Sequence, residues 1–141
     1  METKNTDSYR KQAVETADPL SLVLMMYERA IFLLDKAKNE IIEKEYEEKN
    51  HSLNKATDIV LELLATLDED NGGEIASTLA QLYNFVLREI NDANANLNLK
   101  ALETAKRIMS ELKESWVGIK NHPETEINNA NHTISKIDLS G

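Results

Sequence analysis

Apolar residues recur at helical spacing in four stretches of this chain, and polar linkers separate them. The first stretch opens at Asp18-Pro19, an N-cap followed by proline at the first helical position, and predicts a helix over about 18–42. Leu20, Leu24, Tyr27, Ile31 and Leu34 form one line along it, and Val23, Met26, Ala30, Leu33 and Ala37 a second line beside the first. So wide an apolar arc belongs to a helix buried over much of its circumference, central in a bundle. At about 100° per residue, Met25 and Phe32 escape both lines and project among Ser21, Glu28, Asp35 and Lys36, with Leu22 near them. Apolar residues on a polar face need cover, from the N-terminal arm, the C-terminal tail or a partner.

A charged link, EKEYEEKN, leads to a second helix over about 46–70. Its stripe is Leu53, Ala56, Val60, Leu63 and Leu67, widened by Ile59, Leu61 and Leu64. Gly72-Gly73 then offers the left-handed backbone that ends helices cheaply. A third helix, about 74–95, carries Ile75, Leu79, Leu82, Val86, Ile90 and Ala93 on one face. On an adjoining face lie Ala76, Ala80, Tyr83 and Leu87, a shallow trough of small residues that a neighbouring helix or a partner's helix would fill. The Asn-rich segment 94–98 is a break. A fourth helix, about 98–118, has Leu102, Ala105, Met109, Leu112 and Trp116 in line, with Gly118 and Pro123 at its end.

Short links between long helices force antiparallel neighbours, so the expected fold is all-α: an up-down four-helix bundle with a short N-terminal arm. That arm, residues 1–17, is polar and reads either as a frayed terminus or as a detachable cover for a binding surface. Residues 119–141 form a polar, Asn-rich tail whose composition favours disorder. Weak helical spacing of Ile127, Ala130, Ile134 and Ile137 leaves a short docked helix open.

Composition narrows the function. The chain of 141 residues has no cysteine, which removes disulfides and thiolate chemistry, and a formal net charge of -9, which disfavours nucleic acid. A polar N-terminus and the lack of a long apolar run predict no membrane insertion and a cytoplasmic protein. Asp68-x-Asp70-x-Gly72-Gly73-x-Ile75 imitates half a calcium loop, but Leu79 stands where the closing bidentate carboxylate belongs. Glu48-x-x-His51 is half a di-iron motif without its second copy. With no phosphate loop and no nucleophile elbow, the expectation is a binding protein, not an enzyme, without cofactor or metal. The residues offered to a partner on helical geometry are Ile59, Ala76, Ala80, Tyr83 and Leu87, with Leu22, Met25 and Phe32 as a second patch.

Three groups of residues resemble one family. Leu67-Asp68, Gly72-Gly73-Glu74-Ile75-Ala76, Leu79, Leu82-Tyr83, Arg88 and Ala93-Asn94 are similar to the central signature of FliS, the flagellin chaperone family. Val14-x-Thr16-Ala17-Asp18-Pro19-x-x-Leu22-Val23-x-x-Met26-Tyr27-Glu28-x-Ala30 resembles its first-helix signature, Tyr9 its N-terminal tyrosine, and Leu102, Leu112 and Trp116 its closing pattern. Asp18 and Glu28 depart by type from the usual serine and aspartate, and Arg29 stands where the family has glycine. The resemblance implies a cytoplasmic chaperone of flagellar type III export. Such a chaperone binds the disordered C-terminal segment of flagellin, prevents early polymerisation and delivers its cargo to a component of the export gate. With that implication in view, Tyr9 is the candidate by which the arm covers a groove. The alternative is a helical adaptor or an oligomerising structural bundle unrelated to flagellin.

Overall fold

The computed structural model describes residues 18–122, 134 and 137–139, with the backbone alone for Glu69. Within them lie four helices: α1 (Pro19–Ile42), α2 (Tyr46–Ala65), α3 (Glu69–Asn96) and α4 (Leu99–Asn121). α1 packs on α2 and α4, and α3 packs on the same two, so the helices close a four-cornered, all-α bundle in chain order. Tyr9 lies outside the described residues, as do the rest of the arm, Ile127 and Ala130.

The ends of the helices follow from local chemistry. The Asp18 carboxylate accepts from Ser21 N–H at 2.7 Å, and this backbone bond holds its pKa below the ordinary value. Asn98 caps α4 in the same way, accepting from Ala101 N–H at 3.1 Å. α2 stops when the Thr66 hydroxyl donates to the Leu63 carbonyl at 2.7 Å. Asp68 then accepts from Asn71 N–H, so the next helix begins five residues before the expected Glu74. It runs one turn and kinks at Gly73, whose φ of 59° and ψ of −140° are foreign to a helix. Gly72 keeps a negative φ; its role is spatial, since a Cβ there would stand 2.6 Å from that of Ala76. α4 continues through Gly118 to Asn121 instead of ending before it, and Pro123 follows.

The core is built from the expected stripes, with Tyr27, Leu34, Leu53, Val60, Val86, Ile90, Ala105, Met109 and Leu112 all buried. Polar exceptions collect at the end where α1 turns into α2 and α3 into α4. The buried Lys49 ammonium donates to the Asn94 carbonyl at 2.9 Å and to its Oδ1 at 2.8 Å, in the last turn of α3, where the helix dipole favours a cation. The buried Glu40 carboxylate accepts from Ser52 Oγ at 2.6 Å and from Lys36 Nζ at 2.8 Å. Paired buried charges contribute little net stability, but breaking one pair strands its partner, so they fix which residues meet.

The tail contributes as well. Ile134 is fully buried in the core, Ile137 packs against it, and Arg107 donates to the Asp138 carbonyl at 2.5 Å. Ile134 and Ile137 thus take the docked arrangement left open for them, while residues 123–133 lie outside the described residues.

Gly73 has open space around it, so replacing it tests backbone conformation alone. Gly73→Ala should destabilise the bundle by about 1–3 kcal/mol in urea unfolding, with an unchanged slope. A loss within error would show that the kink does not depend on glycine.

Candidate functional site

Two hydrogen bonds reveal which flank of each helix meets which neighbour. Ser52 of α2 reaches Glu40, so that flank of α2 faces α1. Ile59 follows Ser52 by seven residues, nearly two turns, and shares the flank. Leu22 precedes Glu40 by eighteen residues, five turns, and lies on the matching flank of α1. Leu22 and Ile59, both half-buried, therefore border the groove between α1 and α2.

On α3 the marker is Asn94, which Lys49 of α2 grips. Leu87, Tyr83, Ala80 and Ala76 precede it by 7, 11, 14 and 18 residues, so the stripe faces α2. Across from it stands the flank of α2 that carries Leu61 and Leu64. Ile59, offered to a partner together with the trough residues, turns to α1 and stands apart from this α2–α3 groove. The groove differs from the open trough expected in that its floor is closed, with Ala76 at 4%, Ala80 at 7% and Tyr83 at 2% exposure. The apolar surface left open belongs to Leu87, to the half-buried Leu64 and to Leu61, 46% exposed. By spacing alone Leu61 and Leu64 only widen the core stripe. At the turn end the groove opens into a hollow of about 370 Å³ lined by Leu64, Leu67, Asp68 and Asp70.

Met25 and Phe32 occupy a third place, the outer face of α1. Phe32 is exposed, and the Arg29 guanidinium lies 5.3 Å from its ring centroid. To one side, a second hollow of about 400 Å³ between α1 and α4 is lined by Ile31, Ser110, Lys113, Glu114 and Val117. The eight residues thus fall into two grooves and one outer face. Among the described residues no cluster of His, Asp and Glu could hold a metal, and no helix is long and apolar enough to cross a membrane.

Tyr83 is better described as a beam than as a contact. Its ring lies 6.4 Å from that of Tyr27 on the diagonally opposite helix, and the two hydroxyls hydrogen-bond to each other. Burial pushes the Tyr83 pKa up to about 12, and burial together with the neighbouring Tyr83 raises that of Tyr27 well above its ordinary value. Trp116 presents its buried indole N–H close enough to Tyr27 to oppose that rise, without hydrogen-bond geometry to any described acceptor.

Comparison with known proteins places this geometry. The family described as flagellar protein FliS matches residues 1–123. The flagellar secretion chaperone FliS of Salmonella typhimurium is 32% identical over 107 residues, 75% of this chain and 79% of that protein. Its counterpart in Vibrio cholerae is 32% identical over 113 residues, covering 77% and 83%. That of Campylobacter jejuni is 27% identical over 116 residues, covering 82% and 91%.

The tyrosine pair makes two predictions. Tyr83→Phe strands the Tyr27 hydroxyl in the core and should cost about 1–3 kcal/mol, while the double variant Tyr27→Phe/Tyr83→Phe should cost less than the two singles together. Additive costs in a double-mutant cycle would contradict the bond. Both folded-state pKa values exceed the unfolded value near 10, so the folded state holds its protons longer. Stability should be intact below pH 10 and fall as pH rises from about 10 to 12. Urea midpoints at pH 9, 10 and 11 check this, and the double phenylalanine variant should lose most of the slope.

Proposed function

The chain belongs to the FliS family of flagellar secretion chaperones, and on that premise we propose that it binds the C-terminal segment of flagellin in the cytoplasm. Bound there, the segment is withheld from premature polymerisation until the complex reaches a component of the flagellar export gate. The observation that carries this reading is the family match across residues 1–123, which takes in the whole bundle.

The geometry supports it in a specific way. A disordered segment that folds on binding must bury enough apolar area to offset its ordering entropy. The α2–α3 groove offers a floor of Ala76, Ala80 and Tyr83 and open walls at Leu61, Leu64 and Leu87. Small floor residues let a cargo helix lie close, and leucine walls at helical spacing receive its anchors. Leu22 and Ile59 extend the apolar path into the next groove, and Met25 with Phe32 carries it over the outer face of α1. A cargo segment following that path would wrap the bundle. Tyr9 of the arm is the proposed cover for the groove in the cargo-free protein.

Calorimetric titration with a flagellin C-terminal peptide of about 40 residues should give a saturable 1:1 isotherm, favourable enthalpy and a negative heat-capacity change. Tyr83→Asp is unsuited to mapping the site, since it would bury a carboxylate and unfold the core. Leu87→Asp should weaken binding about 10- to 100-fold, the worth of one buried leucine, with helicity unchanged. Full affinity in a folded Leu87→Asp variant would remove the groove from the account. Absence of heat at several temperatures would remove flagellin.

A further inference from the structure

Seven large apolar side chains are exposed among the described residues, and four of them, Ile42, Tyr46, Leu97 and Leu99, flank the two connections at one end of the bundle. Chain topology places the α1–α2 and α3–α4 connections together there. Two contacts confirm it: Lys38 near the end of α1 pairs with Glu103 at the start of α4 at 2.9 Å, and Lys49 of α2 holds Asn94 of α3. None of the four residues belongs to the grooves described above.

The backbone at this end is held in a conformation that works against its residues. Leu97 adopts φ 55° and ψ 37°, the left-handed region, and Lys44 in the other connection has φ 60°. Asparagine takes that conformation more readily than leucine, and Leu97 stands between Asn96 and Asn98. The fold therefore spends stability on a leucine whose side chain stays 39% exposed. The platform beneath is tied together by hydrogen bonds. Asp92 accepts from the side-chain amides of Asn96 at 2.6 Å and Asn98 at 2.8 Å, and the paired Lys36–Glu40–Ser52 and Lys49–Asn94 groups lie under it.

Charge indicates the occupant. Glu43, Glu45, Glu47 and Glu48 rim the patch, exposed and in no ion pair among the described residues, against Lys44 and Lys100. A second copy of this chain would set one acidic rim against another. A segment with apolar anchors and a lysine- or arginine-rich border meets both features at once. We propose that this end of the bundle is a docking surface for a basic, amphipathic helical segment of a second protein, separate from the α2–α3 groove.

The probe is a synthetic helical peptide with leucines at i, i+3, i+4 spacing and lysines elsewhere, paired with a control that has glutamate in place of every lysine. Methyl NMR of the full chain should show saturable shifts at Ile42, Leu97 and Leu99 with the lysine peptide, weakening as salt rises, and none with the glutamate peptide. Leu97→Asn should weaken the lysine peptide about tenfold while leaving the thermal midpoint unchanged or higher, a pairing that loss of fold cannot produce. Joint replacement of Glu43, Glu45, Glu47 and Glu48 by lysine should reverse the preference between the peptides. Equal binding of both peptides, shifts confined to another surface, or unchanged affinity in Leu97→Asn would overturn the proposal. So would sedimentation showing dimers that form through this end, since the surface would then belong to a second copy.

Discussion

A hydrogen bond between two tyrosines spans the diagonal of this bundle, and the placement of every groove depends on it. Tyr27 and Tyr83 are each buried with one hydroxyl to satisfy, and each finds the other. An unbonded hydroxyl in such a core would cost about as much as a lost methylene or two, so α1 and α3 are held at a fixed distance and height. α2 and α4 then pack in the two corners between them. Each corner turns one flank of a helix inward and leaves the other at the surface, and the surface flanks are the walls of the grooves.

The same constraint explains why the α2–α3 groove is shallow and firm. With Tyr83 drawn inward, what remains along that flank of α3 is alanine, alanine and then Leu87. Small side chains on a rigid floor favour close approach of another helix, whereas long ones would have to be displaced. The polar groups that lock the opposite end, Lys49 on Asn94 and Glu40 on Ser52, keep α2 in register with both neighbours. On the proposed reading, such a scaffold needs little rearrangement to receive a helix, so the ordering cost would fall on the cargo segment.

Much of the fold was legible because it rests on local rules. The apolar stripes and the caps at Asp18 and Asn98 appear where residue type and spacing place them, whereas the expected glycine turn is a kink at Gly73 inside α3, because Asp68 starts that helix before the glycines. What stayed hidden depends on partners distant in sequence. Lys49 sits one turn before Leu53 on the core stripe, and nothing local says that a lysine there is buried; its partner is 45 residues away. Ile59 widens its stripe in the same way as Leu64, and only the order of neighbours around α2 sends one to α1 and the other to α3. Tyr83 looked like a groove residue because helical spacing cannot tell a side chain at a wall from one that reaches across to Tyr27. The spacing of Ile134 and Ile137 left docking open, but that Ile134 reaches the core depends on the seat the bundle offers it.

Crosslinking would locate the cargo segment in the proposed α2–α3 groove. A photoreactive residue would be placed in turn at Leu61, at Leu87 and, as a control on the α1–α4 side, at Ser110, and irradiated with the flagellin C-terminal peptide bound. Strong adducts are expected from positions 61 and 87 and little from 110. Adducts from 110 alone, under conditions where the peptide binds fully, would contradict it.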